Sequence, residues 1–173
     1  QMCIRDRSTI VQLVDSDWAG CLDTRRSTSC NVAMLGSACL MSTSTTQSIQ
    51  ALSSGEAEFY VSVKGASSGL GLVSLAADLG VALKLKVRTD SSASLGICNR
   101  KGAGRIRDIS TRTLWLQHHI ANGAMDIGKI DGLVPPADLR TKHLDGNKIA
   151  PLLKIIGQGT ATGRPKGAPK ALV

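Results

Sequence analysis

Aromatic side chains are almost missing from this 173-residue chain: one Phe, one Tyr and two Trp make up 2% of it. Stacking of bases on exposed rings is therefore not expected, and contacts to a phosphate backbone are the better expectation for a polyanionic partner. Long apolar runs are lacking as well. No stretch approaches the length of a membrane span and no charged-then-apolar leader marks secretion, so an intracellular protein without a membrane partner is expected. Cysteine is sparse and shows no pairing pattern. Cys3, Cys21, Cys30, Cys39 and Cys98 are odd in number, include no CxxC and have no histidine at zinc spacing, which points to reduced thiols. His118, His119 and His143 lack partners at metal spacing too, and read as surface or half-buried side chains. No internal repeat is visible.

What is present is positive charge. Lys and Arg number 21 against 13 Asp and Glu, a formal +8, which favours nucleic acid or an acidic membrane surface as partner. The length suits one ordinary domain with a core of its own. The opening QMCIRDR, residues 1–7, fits neither strand nor helix and reads as a non-native leader. Residues 8–156 read as the domain. From Gly157 onward Gly, Pro and Lys alternate without period, which predicts a flexible basic tail over 157–173, with Arg164, Lys166 and Lys170 adding salt-sensitive affinity.

Between these ends the pattern changes in order. STIVQLVDSD reads as a strand, and CNVAMLG and ACLMSTSTT as two more in an antiparallel meander. Phe59, Val63, Ala66, Leu70, Val73 and Ala77 then recur at helical steps, with Ser53 or Ser54 as cap and Gly80 as stop. ALKLKVRTD alternates like a half-buried strand, SSASLGICN reads as a short helix, and ISTRTLWLQHHIANG as a helix closed by Gly123. AMDIGKIDG is a short strand, and in PPADLRTKHL the prolines stand where a helix begins. Strands, helix, strand, helices predict an α/β domain with a mixed sheet.

Four acids stand at element ends: Asp15, Glu58, Asp90 and Asp138. Carboxylates are poor strand residues, so Asp15 and Asp17 at a strand's end need a reason. Taken singly each has a bland one, since Asp138 suits a first turn, Glu58 a solvated face and Asp90 an N-cap. Together they repel unless cations neutralise them, and a cluster predicts hard divalent ions, magnesium above all. Two such ions, about 3.5–4 Å apart, can support phosphodiester hydrolysis. With a basic surface, the combination suggests a nuclease.

The runs DSDWAG with RRSTS, ALSSGEAEF, TDSSAS and PADLRTKHL, in that order, resemble the ribonuclease H domain of the Pol polyprotein of copia-type LTR retrotransposons. The resemblance extends from about Ile10 to about Leu144. It implies the ribonuclease H-like fold, a five-stranded mixed sheet with helices on its faces. It also implies a four-carboxylate site that hydrolyses the RNA strand of RNA/DNA hybrids during reverse transcription, with two Mg2+ or Mn2+ ions. Asp15 is then the first acid, bridging both metals; Glu58 and Asp90 hold one and Asp138 the other. Glu56 is a helix-start residue, and Asp17 a supporting or surface acid. The implied partners are the hybrid and the reverse transcriptase domain of the same polyprotein, in a cytoplasmic retroelement particle with a nuclear stage. Arg100, Lys101, Arg105 and Arg107 form a glycine-interleaved basic loop that tracks phosphates or is merely solvated.

Several positions depart from the family pattern. STSCNVAM stands where STSG and an aromatic run are usual, the third strand has no tryptophan, and Asp108 of RDI replaces a histidine. Small residues fill GASSGLGLVSLAADLG, and large-to-small changes in a core cost about 2–5 kcal/mol each. An active domain and a decayed relic that only binds nucleic acid or docks on the polymerase both remain open. An integrase core, which shares the fold, is disfavoured because the glutamate comes second among the acids.

Overall fold

The computed structural model describes residues 8–102, 104, 113–130, 136–141 and 144–159. The expected leader, most of the expected tail, Arg105, Arg107, Asp108 and His143 lie outside the described residues.

Apolar alternation builds the central strand β1 (Thr9–Asp17), whose Ile10 and Val14 are buried on one face while Val11 and Leu13 pack on the other. It pairs antiparallel with β2 (Thr28–Leu35), which pairs antiparallel with the edge strand β3 (Ala38–Thr46), with a register shift at Ala33/Met34. On its other side β1 runs parallel to β4 (Lys84–Thr89), and β4 parallel to β5 (Asp126–Lys129). The five-stranded mixed sheet, in the order β3-β2-β1-β4-β5, is the architecture expected.

Helices cover both faces. Over one lie α1 (Ser54–Asp78), α2 (Ser92–Cys98) and α3 (Trp115–Ala121), around a core that includes Phe59, Val87 and Leu116. Against the other lie a 3-10 helix (Pro136–Arg140) and α4 (Gly146–Ile155), where Ala137 and Ile156 meet Cys30, Val32 and Met34. Among the described residues no helix is long and apolar enough to cross a membrane.

Three elements differ from or go beyond what was expected. The apolar stripe of α1 is only part of its buried face: Phe59 and Ala66 are fully buried and Val63, Leu70 and Val73 pack half-buried against the same core, but Ala77 is exposed, and Ser62, Gly65 and Gly69 are buried as well. The helix approaches the sheet so closely that a Cβ on Gly65 would overlap Val14 Cγ1, and one on Gly69 would overlap Leu85 and lie 3.0 Å from Gln12 Cγ. Absence of a side chain fixes the close approach there, beside the apolar contacts of Phe59 and Ala66. Of the helix expected within 109–123, residues 109–112 lie outside the described residues and Trp115–Ala121 is helical, with Leu116 fully buried and Trp115 half-buried. Finally, α4 was not anticipated: Ile149, Leu152, Leu153 and Ile156 do recur at helical steps, but the helix opens on glycine and carries Pro151 inside. Its Leu152 and the adjoining Ile156 are nevertheless buried, so packing overrides the local preference.

Cys21, Cys30, Cys39 and Cys98 are free thiols, as expected. Burial pushes the Cys98 thiol up to about 11.

Candidate active site

The topology brings the acids to one end of the sheet. Parallel pairing sets Leu13 opposite Arg88, so two residues further along Asp15 and Asp90 leave neighbouring strands side by side. Here β1 has an antiparallel neighbour on one side and a parallel one on the other, at the carboxyl end of its strand, which is where open α/β sheets place their ligand sites. After two reversals β3 runs in the direction of β1, and so the chain enters α1 at the same end.

That entry is firmly capped. Ser53 Oγ accepts from Glu56 N at 3.2 Å, and Glu56 reaches back to accept from Leu52 N at 2.8 Å and from the Tyr60 hydroxyl at 2.9 Å. Glu56 thus serves the helix start much as in a capping box, reaching one residue beyond the N-cap, and is buried and spent on structure. One half-turn on, Glu58 accepts from Ser16 N at 3.3 Å, the residue next to Asp15. Ser91, not Asp90, caps α2, its hydroxyl accepting from Ser94 N at 3.2 Å, which leaves the Asp90 carboxylate exposed at the strand end.

Asp15, Glu58 and Asp90 each offer an oxygen, and these oxygens lie within 4.8 Å of one another. Asp15 is buried, Glu58 half-buried and Asp90 exposed, so the cluster opens outward from a buried base. Carboxylates this close repel in the absence of positive charge, and three hard oxygen donors fit a magnesium- or manganese-type ion rather than a soft one. Asp138 is not one of the three. It sits half-buried in the first turn of the 3-10 helix, which lies against β1 and β2. That helix nonetheless reaches the site, because Thr141 at its end donates its hydroxyl to Asp15 Oδ2.

Sequence reasoning missed Thr141 and a second support, Gln47. The Gln47 amide nitrogen donates to Ser29 Oγ and Ala57 O, each at 2.9 Å, and lies 3.3 Å from Ser16 Oγ. A lone glutamine after a strand carries no pattern, so no sequence signal pointed to it. Asp17, by contrast, accepts from Thr28 N and closes the mouth of the β1–β2 connection, with no room beside it for a Cβ on Gly20. Trp18 stands half-exposed beyond it, its indole N–H donating to Ala51 O at 3.1 Å.

Of the expected phosphate contacts, Lys101 is exposed. Arg100 is half-buried with its guanidinium turned onto Gly104, which has φ 62°. Gln117 of α3 holds this turn through three hydrogen bonds: from Gly102 N at 2.8 Å, and to Ile97 O at 2.8 Å and Gly102 O at 3.1 Å. A cleft of about 470 Å3, lined in part by Cys98, Arg100, Lys101 and His118, runs between the turn and α3.

No family model matches the sequence, and no curated protein matches it significantly. Among solved structures the chain is similar to LC11-RNase H1, isolated from compost by a metagenomic approach, at 13% identity over 87% of this chain and 94% of that one, with a TM-score of 0.47. The same protein in complex with an RNA/DNA hybrid aligns at 14% identity over 70% and 84%, TM-score 0.45. Prototype foamy virus protease–reverse transcriptase aligns at 11% identity over 90% of this chain but 21% of that one, TM-score 0.42. At these values the strand order and register, rather than the likenesses, carry the description of the fold.

Proposed function

We propose that this chain is the ribonuclease H domain of a copia-type LTR retrotransposon Pol polyprotein, a metal-dependent endonuclease that hydrolyses the RNA strand of RNA/DNA hybrids. The observation that carries the reading is the meeting of Asp15, Glu58 and Asp90 at ligand distance, on the three elements where the family motifs fall. Those three would hold a divalent ion, and Asp138 with Asp15 a second. When bound, such ions activate a water and stabilise the leaving oxygen. The chain's own residues do the rest. Thr141 and Ser16 N hold the Asp15 and Glu58 carboxylates in place, and Lys101, with Arg100 and the sequence-adjacent Arg105 and Arg107, steers the polyanion. The RNA strand is selected through A-form shape and 2′-hydroxyls, so base sequence is not read. The reverse transcriptase domain of the same polyprotein and a retroelement particle are the setting this reading implies.

A second reading, a catalytically inactive relic that still binds hybrid or docks on its polymerase, is favoured by one observation. Gln12 and Asn31 are fully buried, and among the described residues neither side chain finds a hydrogen-bond partner. Such burial costs stability, which a chain no longer held to catalysis can tolerate. The Asp15→Asn variant separates the readings. Loss of cleavage by about a hundred- to a thousandfold, with hybrid binding retained, supports the enzyme. Equal and absent cleavage in wild type and variant supports the relic.

A further inference from the structure

We propose that Gln47 is a positioning residue whose buried amide fixes the separation of the β1 and α1 carboxylates and so sets the affinity of the cluster for a divalent cation; the inference rests on the functional reading above. Asp15 is followed by Ser16 on β1, and Glu58 is preceded by Ala57 on α1. The Gln47 nitrogen faces both of these neighbours, together with Ser29 on β2. Its orientation is settled by chemistry: Ala57 O can only accept, so the amide nitrogen must face it. The backbone of Gln47 is anchored as well, its N–H donating to Ser27 O at 2.7 Å. One side chain, mostly buried, therefore ties three elements at the level of the acids.

Glu58 joins the same linkage through Ser16 N. Carboxylates without a cation push apart, and the first turns of α1 are free to yield only if something does not hold them to β1. Apart from the Ser16–Glu58 hydrogen bond, which spans the very carboxylate under strain, and the Trp18–Ala51 hydrogen bond beyond the strand's end, the Gln47 amide is the polar tie described between α1's entry and β1. Groups that orient ligands from behind change metal affinity about 10- to 100-fold when removed.

The test is titration of the full chain with Mn2+, followed by calorimetry, for wild type, Gln47→Met and Gln117→Met. Methionine keeps the length of the side chain and removes its hydrogen bonds. Gln117 also makes three hydrogen bonds but joins α3 to the turn after α2, so its loss reports general loosening. Mn2+ affinity in Gln47→Met falls about 10- to 100-fold in a chain that circular dichroism shows folded, while Gln117→Met melts earlier and keeps the wild-type affinity. If Gln47→Met does not fold, Ser29→Ala, which removes one acceptor at 2.9 Å, gives a smaller fall in the same direction. Unchanged affinity in whichever of these variants folds, or an equal fall in Gln117→Met, overturns the inference. A folded wild-type chain that binds no Mn2+ overturns the functional reading and takes the inference with it.

Discussion

At the carboxyl end of β1 and the start of β2, Ser16 and Ser29 are buried and both meet the Gln47 amide. Further down the same two strands Gln12 and Asn31 are buried more deeply beneath α1, with no hydrogen-bond partner among the described residues. Under the acids the Gln47 amide nitrogen is thus built into a linkage, although its carbonyl oxygen finds no partner among the described residues, whereas in the middle of the sheet neither end of the Gln12 or Asn31 amide does. The difference separates residues that a site requires from residues that a fold merely tolerates, and it makes opposite demands on mutation at the two places.

The sharpest way to break the comparison lies on α1 itself, where two glutamates stand two residues apart. Glu58→Gln should lower hybrid cleavage by about a hundred- to a thousandfold with little change in melting temperature. Glu56→Ala should do the reverse, costing about 1–3 kcal/mol through the lost cap and the stranded Leu52 N–H, with activity per folded molecule retained. Cleavage assays alongside thermal melts decide which glutamate belongs to the site.

Next in size is the seat of α1 on the sheet. Gly65→Ala forces a Cβ onto Val14 and should destabilise by about 1–3 kcal/mol, while Gly71→Ala, in open space on the same helix, should stabilise by about 0.5–1 kcal/mol. Gln12→Leu should gain about 1–2 kcal/mol and raise Tm by about 2–8 °C without altering cleavage, because an orphaned amide gives way to an apolar side chain. A loss of stability there would mean that Gln12 has a partner of its own.

The smallest effect concerns the thiols. Burial raises Cys98 from its ordinary 9.0 to about 11, so its contribution to stability is complete below about pH 9 and is lost as pH rises toward 11. Cys21 is shifted the other way, mainly by its hydrogen bond with the Thr24 side chain. Peptide mapping after brief alkylation at pH 8 should find Cys21 modified and Cys98 protected.

How much of this was legible beforehand follows the length of each signal. The strands were readable because Ile10, Val14, Leu85 and Val87 alternate with residues of another environment, and Asp15, Glu58 and Asp90 were readable as acids at element ends. On α1, Phe59 and Ala66 were readable as buried, but the glycine part of its buried face was not, since glycines at a close approach look like weak helix formers rather than a contact surface. Nor were Gln47 and Thr141, each brought in from a distant part of the chain: Thr141 lies 126 residues from the aspartate it touches, and no spacing rule spans that. Asp138 was readable as a first-turn acid, but the three-carboxylate group at ligand distance does not include it.

The central claim is that three carboxylates gathered by separate elements make a working, cation-dependent site, and hydrolysis of a labelled RNA/DNA hybrid by the purified chain tests it most directly. Cleavage confined to the RNA strand in Mg2+, stopped by EDTA and absent on duplex DNA, is the result the account predicts. No cleavage of the hybrid in Mg2+ or Mn2+, by a chain that circular dichroism shows to be folded and that binds the hybrid, would contradict it.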